Sequence, residues 1–312
     1  MLTVLSAVLP IFTIILTGWI ARRTNVLGPH ATREINRYVV YLAFPALLFD
    51  IVANVRWQDV WQPGFIAAFA IGVFTLFAAT VLLRWRVTGD LADATIDGLN
   101  AAYANTAFLG FPLVAVLIGP AALPLPMIAT LLTVCLLFAV GIVLIESARG
   151  AGNGRGSIAI TVVRSLATNP LVLAPVLGAL AALSGLAIPP PVETFLKLLG
   201  STAAPCALIA LGLFLAQESE GEPARSTLLA GLVGAKLIVQ PLLTWIVAAP
   251  LLALPPDLVR AAVLIAALPT GTGPFMLANF YGREAGATSR VILISTILSI
   301  VTVSVYLAWS AG

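Results

Sequence analysis

Charge is the first thing this chain is short of. Only 9% of its 312 residues are Asp, Glu, Lys or Arg, against 60% hydrophobic, and the mean hydropathy is +1.07. Soluble domains average roughly a quarter charged residues, so too little polar surface is available to cover a water-soluble globule. The sequence reads as an integral membrane protein, and with so few charges their placement says more than the net +3. Histidine is nearly absent. The one histidine, His30, lies in a loop between apolar runs, which excludes a serine–histidine pair within the bilayer. No H-E-x-x-H occurs, and no pair of aspartates beside a G-x-G-D, so the chain is not read as an intramembrane enzyme. The two cysteines, Cys135 and Cys206, each sit inside an apolar run and are packing residues, not a disulfide or a metal site. Nothing in the sequence calls for a cofactor, a metal ion or a nucleic-acid partner.

Long hydrophobic runs are what the chain has in plenty. The opening M-L-T-V-L-S-A-V-L-P has no charged n-region and leads to no small-residue cleavage site, so it is read as a first transmembrane helix and not as a signal peptide. Crossing roughly 30 Å of hydrocarbon takes about 20 residues. Apolar stretches of that length fall at 3–22, 34–54, 63–84, 95–118, 123–145, 158–182, 192–216, 225–249, 257–280 and 287–309. They are long and continuously apolar, which excludes a β-barrel. The expectation is an all-α polytopic protein of ten spans.

Lys and Arg orient the spans. With the N-terminus outside, the inner ends carry Arg22, Arg23, Arg33, Arg37, Arg84, Arg86, Arg149, Arg155, Arg164, Arg225, Arg283 and Arg290, while the outer ends carry Arg56, Lys197 and Arg260. Both termini are then extracytoplasmic, in a cell inner membrane. Trp57, Trp61 and Trp309 fall at the outer interface and Trp19 and Trp85 near the inner one, as an aromatic belt requires.

The chain also carries an internal echo. Pro10 and Gly18 of span one reappear 160 residues later as Pro170 and Gly178, and Pro45-Ala46-Leu47-Leu48 as Pro205-Cys206-Ala207-Leu208. Gly110 and Pro112 of span four match Gly273 and Pro274 of span nine at offsets of 163 and 162. Five spans per half is an odd number, so the halves insert with opposite orientations, the inverted repeat of secondary transporters. The division is residues 1–146, a cytoplasmic linker at 147–157, and residues 158–312.

Two spans carry residues that break helices. Span four reads A-N-T-A-F-L-G-F-P (104–112) and span nine A-L-P-T-G-T-G-P-F (267–275). Interrupted segments in corresponding places of two halves point to a transporter's binding site, because unwound backbone is tolerated in a membrane only where protein or a cavity satisfies it. Pro112 and Pro274 suit the first position of second half-helices, whose positive N-terminal ends would face the break and favour a carboxylate. Asn105, Thr106, Gly110, Pro269, Thr270, Thr272 and Gly273 complete the candidate site. Two proline kinks with small residues for close packing would explain neither the pairing nor the clustered Asn and Thr.

These motifs resemble a known family. N-T-A-F-L-G-F-P (105–112), P-A-L-L-F (45–49), the L-P-I-F…G of span one and the N-P-L…G of span six are similar to the auxin efflux carrier family, which includes bacterial relatives of the plant PIN carriers. The resemblance covers essentially the whole chain, and the span-four motif is its most specific part. It implies two inverted five-helix repeats, with spans 1, 2, 6 and 7 as a scaffold that also serves homodimerisation and spans 3–5 and 8–10 as a transport domain. Broken helices 4 and 9 would cross at the substrate site, the substrate would be an organic anion, and access would alternate by an elevator-like motion. The central loop, about a dozen residues long, and the Thr-Gly-Thr-Gly-Pro of span nine depart from the plant pattern. Carboxylates such as the malonate proposed for bacterial members suit this site better than auxin.

A few charged residues remain within the spans. Lys236, near the middle of span eight, is either a counter-charge for an anion or the transport domain, or a lysine that snorkels. Gln240 shares its helix face. Asp50, in the outer part of span two, is either an ion or proton site or a residue reaching the interface. Asp97 and Asp257 open spans four and nine, where a carboxylate suits a helix N-terminus, and Asn100 and Asn279 lie near the breaks. The reading is a secondary carrier of small organic anions in the lipid bilayer. Its rival is a sodium- or proton-coupled antiporter of a related fold, which would want acidic residues at the breaks.

Overall fold

The computed structural model describes residues 2–54, 60–150, 169–185, 188–216, 226–283 and 285–310. Arg56, Trp57, Arg155, Arg164, Arg225, the start of span six and most of the linker lie outside the described residues. Within them the chain is helical and contains no strand, only one isolated bridge between two residues. In chain order the helices are α1 (Leu2–Arg23), α2 (Ala31–Ala53), α3 (Pro63–Thr88), α4 (Leu91–Ala102), α5 (Phe111–Leu117) and α6 (Pro124–Arg149). They continue as α7 (Pro170–Ser184), α8 (Pro190–Ala216), α9 (Ser226–Leu251), α10 (Pro256–Ala266), α11 (Gly273–Phe280) and α12 (Gly286–Ser310). Six of them, α2, α3, α6, α8, α9 and α12, are long and apolar enough to cross a bilayer. The apolar runs at spans four and nine are each divided between two short helices, α4 with α5 and α10 with α11.

Prolines shape these helices in a consistent way. Widened π-type turns at Val39–Ala43, Thr106–Gly110 and Ala235–Val239 each end two residues before a proline, namely Pro45, Pro112 and Pro241. A proline lacks the N–H that would close the regular helical bond, and its ring crowds the carbonyl four residues back. Opening the turn relieves that crowding without ending the helix. Pro112 therefore does not begin the second half of span four, as the sequence suggested. The helical path already starts at Thr106 and runs unbroken through Gly110 into α5, so the interruption falls earlier, at Tyr103–Asn105. Pro274 does fall in the first turn of α11.

Burial divides the helices into two groups. In α4, ten of twelve residues are buried, and in α11 the run Gly273–Ala278 is buried; a helix buried all round belongs inside a bundle. By contrast α7, α8 and α12 expose large apolar residues such as Leu183, Leu198 and Val305, as lipid-facing helices do. The outer helices touch through small residues. A Cβ on Gly18 of α1 would overlap the carbonyl oxygen of Ile209 in α8, and one on Gly178 of α7 would lie 2.8 Å from the carbonyl oxygen of Phe49 in α2. Close backbone approach of this kind drives helix association where lipid is as apolar as Leu. The two contacts are related by the offset seen in the sequence, since 178 − 18 and 209 − 49 are both 160.

Candidate functional site

The two interrupted spans meet. Tyr103 ends α4 in an extended conformation (φ −81°, ψ 91°), and Ala104 forms an antiparallel bridge with Thr270. The Asn105 N–H donates to the carbonyl of Pro269 at 2.8 Å, and the Gly271 N–H donates to the carbonyl of Tyr103 at 3.0 Å. The groups each break sets free are thus satisfied by the other break, as buried backbone in hydrocarbon requires. Thr270 adds two links: its hydroxyl donates to the carbonyl of Asn100 at 2.8 Å, and its N–H donates to Ser295 Oγ of α12 at 3.2 Å.

The carbonyl ends of the first half-helices are capped from a third helix. Lys236 Nζ donates to the carbonyl of Ala266, the last residue of α10, at 2.8 Å, and Gln240 Nε2 donates to the carbonyl of Ala102, the last residue of α4, at 3.1 Å. Both side chains are fully buried. Four residues apart, they share one face of α9, and each supplies a donor to a carbonyl that its helix end leaves unpaired. Lys236 therefore does not snorkel; it is turned inward onto the break and has no carboxylate partner among the described residues. Neither it nor Gln240 lines the cleft described next.

That cleft lies between the joined breaks and α2. Phe44, Leu47 and Ile51 form the α2 wall, Thr130 and Val134 of α6 close one side, and Tyr103, Asn105, Thr106, Gly271 and Thr272 form the opposite wall. Its volume is about 20 Å³, room for about one water. Asn105 and Thr272 are 5% and 4% exposed, yet neither side chain has a hydrogen-bond partner among the described residues. Buried polar side chains are ordinarily paired, so these two are free for whatever enters. Thr106 is held by Thr130, oxygen to oxygen at 3.0 Å. Among the described residues no charged one lines the cleft.

The remaining sequence candidates lie elsewhere. Gly110 is helical and packs near Pro126 and Leu268. Asp50 accepts from Asn54 Nδ2 at 2.7 Å on α2 and does not line the cleft, although its neighbour Ile51 does. Asp97 pairs with Arg84 at 2.7 Å, Asn100 donates to Thr288, and Asp257 lines a separate cleft near Arg260. Cys135 and Cys206 are free. Of the cleft's lining the sequence reading named Asn105, Thr106 and Thr272; the rest escaped it, Thr130 and Tyr103 among them. A Cβ on Gly273 would lie 2.6 Å from Tyr103 Cζ, and one on Gly271 would lie 2.9 Å from Cε1. The T-G-T-G of span nine is the seat of this ring, and an aromatic two residues before Asn105 was the available signal.

Interrupted helices whose freed backbone closes on each other inside an apolar helical bundle define a multi-pass membrane transporter. The membrane transport protein family matches residues 3–307. The chain belongs to this family, the auxin efflux carriers that its motifs resemble. Its relatives include a "Putative malonate transporter" of Rhizobium meliloti, 32% identical with 97% of this chain and 95% of that protein covered. The uncharacterized transporter YfdV of Escherichia coli is 25% identical over 93% of each chain. Auxin efflux carrier component 8 of Arabidopsis thaliana is 23% identical over 97% of this chain and 96% of that protein.

Proposed function

We propose that this transporter is a secondary carrier of small organic anions, carboxylates of the malonate kind, bound where spans four and nine meet. The observation that carries the reading is the cleft itself: buried, lined by no charged residue among the described ones, and holding Asn105 and Thr272, whose polar side-chain atoms have no partner among them. Neutral donors beside the N-terminal end of α11 suit a carboxylate. The name of the Rhizobium relative supports the same class of substrate. The antiporter reading wants a carboxylate in the cleft, and none lines it.

The cleft's position against α2 supports the rest of the proposal. Ten spans form two inverted five-helix repeats, an arrangement that the paired contacts Gly18–Ile209 and Gly178–Phe49 favour. Helices α1, α2, α7 and α8 are the scaffold and the homodimer contact, and the remaining helices carry the site past α2 in an elevator motion. The protein sits in an inner membrane with both termini outside. Uptake of labelled mono- and dicarboxylates into proteoliposomes, with and without sodium and proton gradients, tests this. Carboxylate uptake is the expected result, and Asn105→Ala lowers it roughly tenfold, the scale of a lost hydrogen bond to a charged group, while the protein still elutes as a folded species. If sodium or protons move and no carboxylate does, the antiporter reading replaces this one.

A further inference from the structure

Tyr103 does more than pack. It is 3% exposed, its ring rests on the backbone of Gly271 and Gly273, and the ring of Phe138 lies 5.8 Å away. A phenyl ring would serve for all of that. The hydroxyl is the extra, and a buried Tyr hydroxyl usually finds a partner; this one has none among the described residues, while Tyr103 lines the cleft. A Cβ on Gly273 would lie 2.8 Å from that hydroxyl, so the oxygen stands beside the first residue of α11.

The free donors of the cleft therefore fall into two groups. Asn105 stands at the start of the segment that leads into α5, and the Tyr103 hydroxyl stands with Thr272 at the start of α11. With no cation in the cleft, each negative group of a ligand has to be held by neutral donors, and two such groups are provided. We infer that the Tyr103 hydroxyl is a direct ligand that, once the cleft widens beyond its one-water volume, makes the site two-ended and so selects short dicarboxylates over monocarboxylates of the same length. This rests on the anion-carrier reading above. A monocarboxylate leaves one set of buried donors without an acceptor, and sites built to hydrogen-bond discriminate strongly against ligands that lack the matching group.

Tyr103→Phe removes one oxygen and keeps the ring on its glycine seat. In proteoliposomes the wild-type protein is expected to take up malonate well and propionate poorly. In Tyr103→Phe the KM for malonate rises roughly tenfold, the effect of one hydrogen bond to a charged group, so that the preference for malonate over propionate shrinks, while the melting temperature in detergent stays as it was. Should Tyr103→Phe fail to fold, Thr272→Val removes the hydroxyl beside it and must likewise shrink the preference for malonate over propionate. An unchanged malonate KM in a folded variant overturns the inference. So does a wild-type protein that moves propionate as well as malonate, although the anion carrier then still stands. A wild-type protein that moves no carboxylate overturns both.

Discussion

The contact between α1 and α8 and the junction of α4 with α10 both bring backbone against backbone, by opposite means. At Gly18 and Gly212 two intact helices touch because neither presents a side chain, and every backbone hydrogen bond stays within its own helix. At Ala104 and Thr270 the helices have stopped, and the backbone groups bond across the gap. The first arrangement needs only the absence of bulk. The second needs donors and acceptors from elsewhere, which is why Lys236, Gln240, Thr270 and Ser295 all converge on it. A contact of the first kind resists change in shape, and one of the second kind resists change in polarity.

The largest effect on stability is expected at the first kind. A Cβ on Gly212 would already overlap the carbonyl oxygen of Ile15, so Gly212→Leu forces α1 and α8 apart. Overpacking of this sort costs about 1–3 kcal/mol and occasionally more; with backbone as the obstacle, the upper end or beyond is expected. Size-exclusion profiles and thermal melts in detergent read it directly. A variant that melts with the wild-type protein would mean these helices have room to separate, and the distinction drawn here would fail.

Changing polarity at the junction without changing shape is expected to act differently. Lys236→Met keeps the buried stem and removes the amine, leaving the Ala266 carbonyl without its donor. An orphaned buried acceptor costs about 1–3 kcal/mol, but removing a buried polar amine returns part of that. The net loss should stay below about 2 kcal/mol, well short of Gly212→Leu. Transport should fall at least roughly tenfold, because the end of α10 that positions Thr270 and Thr272 is no longer tied to α9. A Lys236→Met protein with wild-type uptake would remove the capping role; one as unstable as Gly212→Leu would erase the contrast between the two regions.

The sequence shows these regions unequally, for physical reasons. Close packing forbids a Cβ at Gly18 and Gly178, so the 160-residue spacing of small residues is visible without coordinates. That spans four and nine would be interrupted was legible in Asn105, Thr106, Thr270 and the T-G-T-G run, because polar and flexible residues are unfavourable in a membrane unless used. Where span four breaks was not legible. Gly110 and Pro112 look like the breaking pair, but a widened turn at Thr106–Gly110 absorbs the proline, and the chain opens instead at Tyr103–Asn105. The partner of Lys236 lies 30 residues away, a distance at which no local pattern speaks. Tyr103 was passed over because an aromatic in an apolar run reads as core, and only its seat on two glycines of span nine gives the hydroxyl a direction.

The smallest effect concerns the other end of α4, and it sharpens the comparison within a single helix. The carbonyl end of α4 is capped by Gln240 from another helix, but its N-terminal end is capped locally. Asp90 accepts from the N–H groups of Ala92 and Asp93 at 2.8 and 3.1 Å and pairs with Arg283, which also reaches Asp93 at 2.7 Å. Burial raises the carboxyl's pKa, but the backbone bonds from Asp93 and Ala92 and the Arg283 guanidinium outweigh it, and the net direction is below the ordinary value. A carboxylate held lower in the folded state stabilises above its unfolded value of about 3.9 and loses that contribution as pH falls through its folded value. Asp90 is 42% exposed, so solvent screening keeps the contribution to about 0.5 kcal/mol. Asp90→Asn keeps the cap and removes the charge. In melts at neutral pH it should lie slightly below the wild-type protein, and the gap should close as the medium is acidified through the carboxyl's lowered folded value. A gap that persists in acid would mean that Asp90 acts at this end through shape or capping alone, and that charge has no part in holding α4 to the turn after α11.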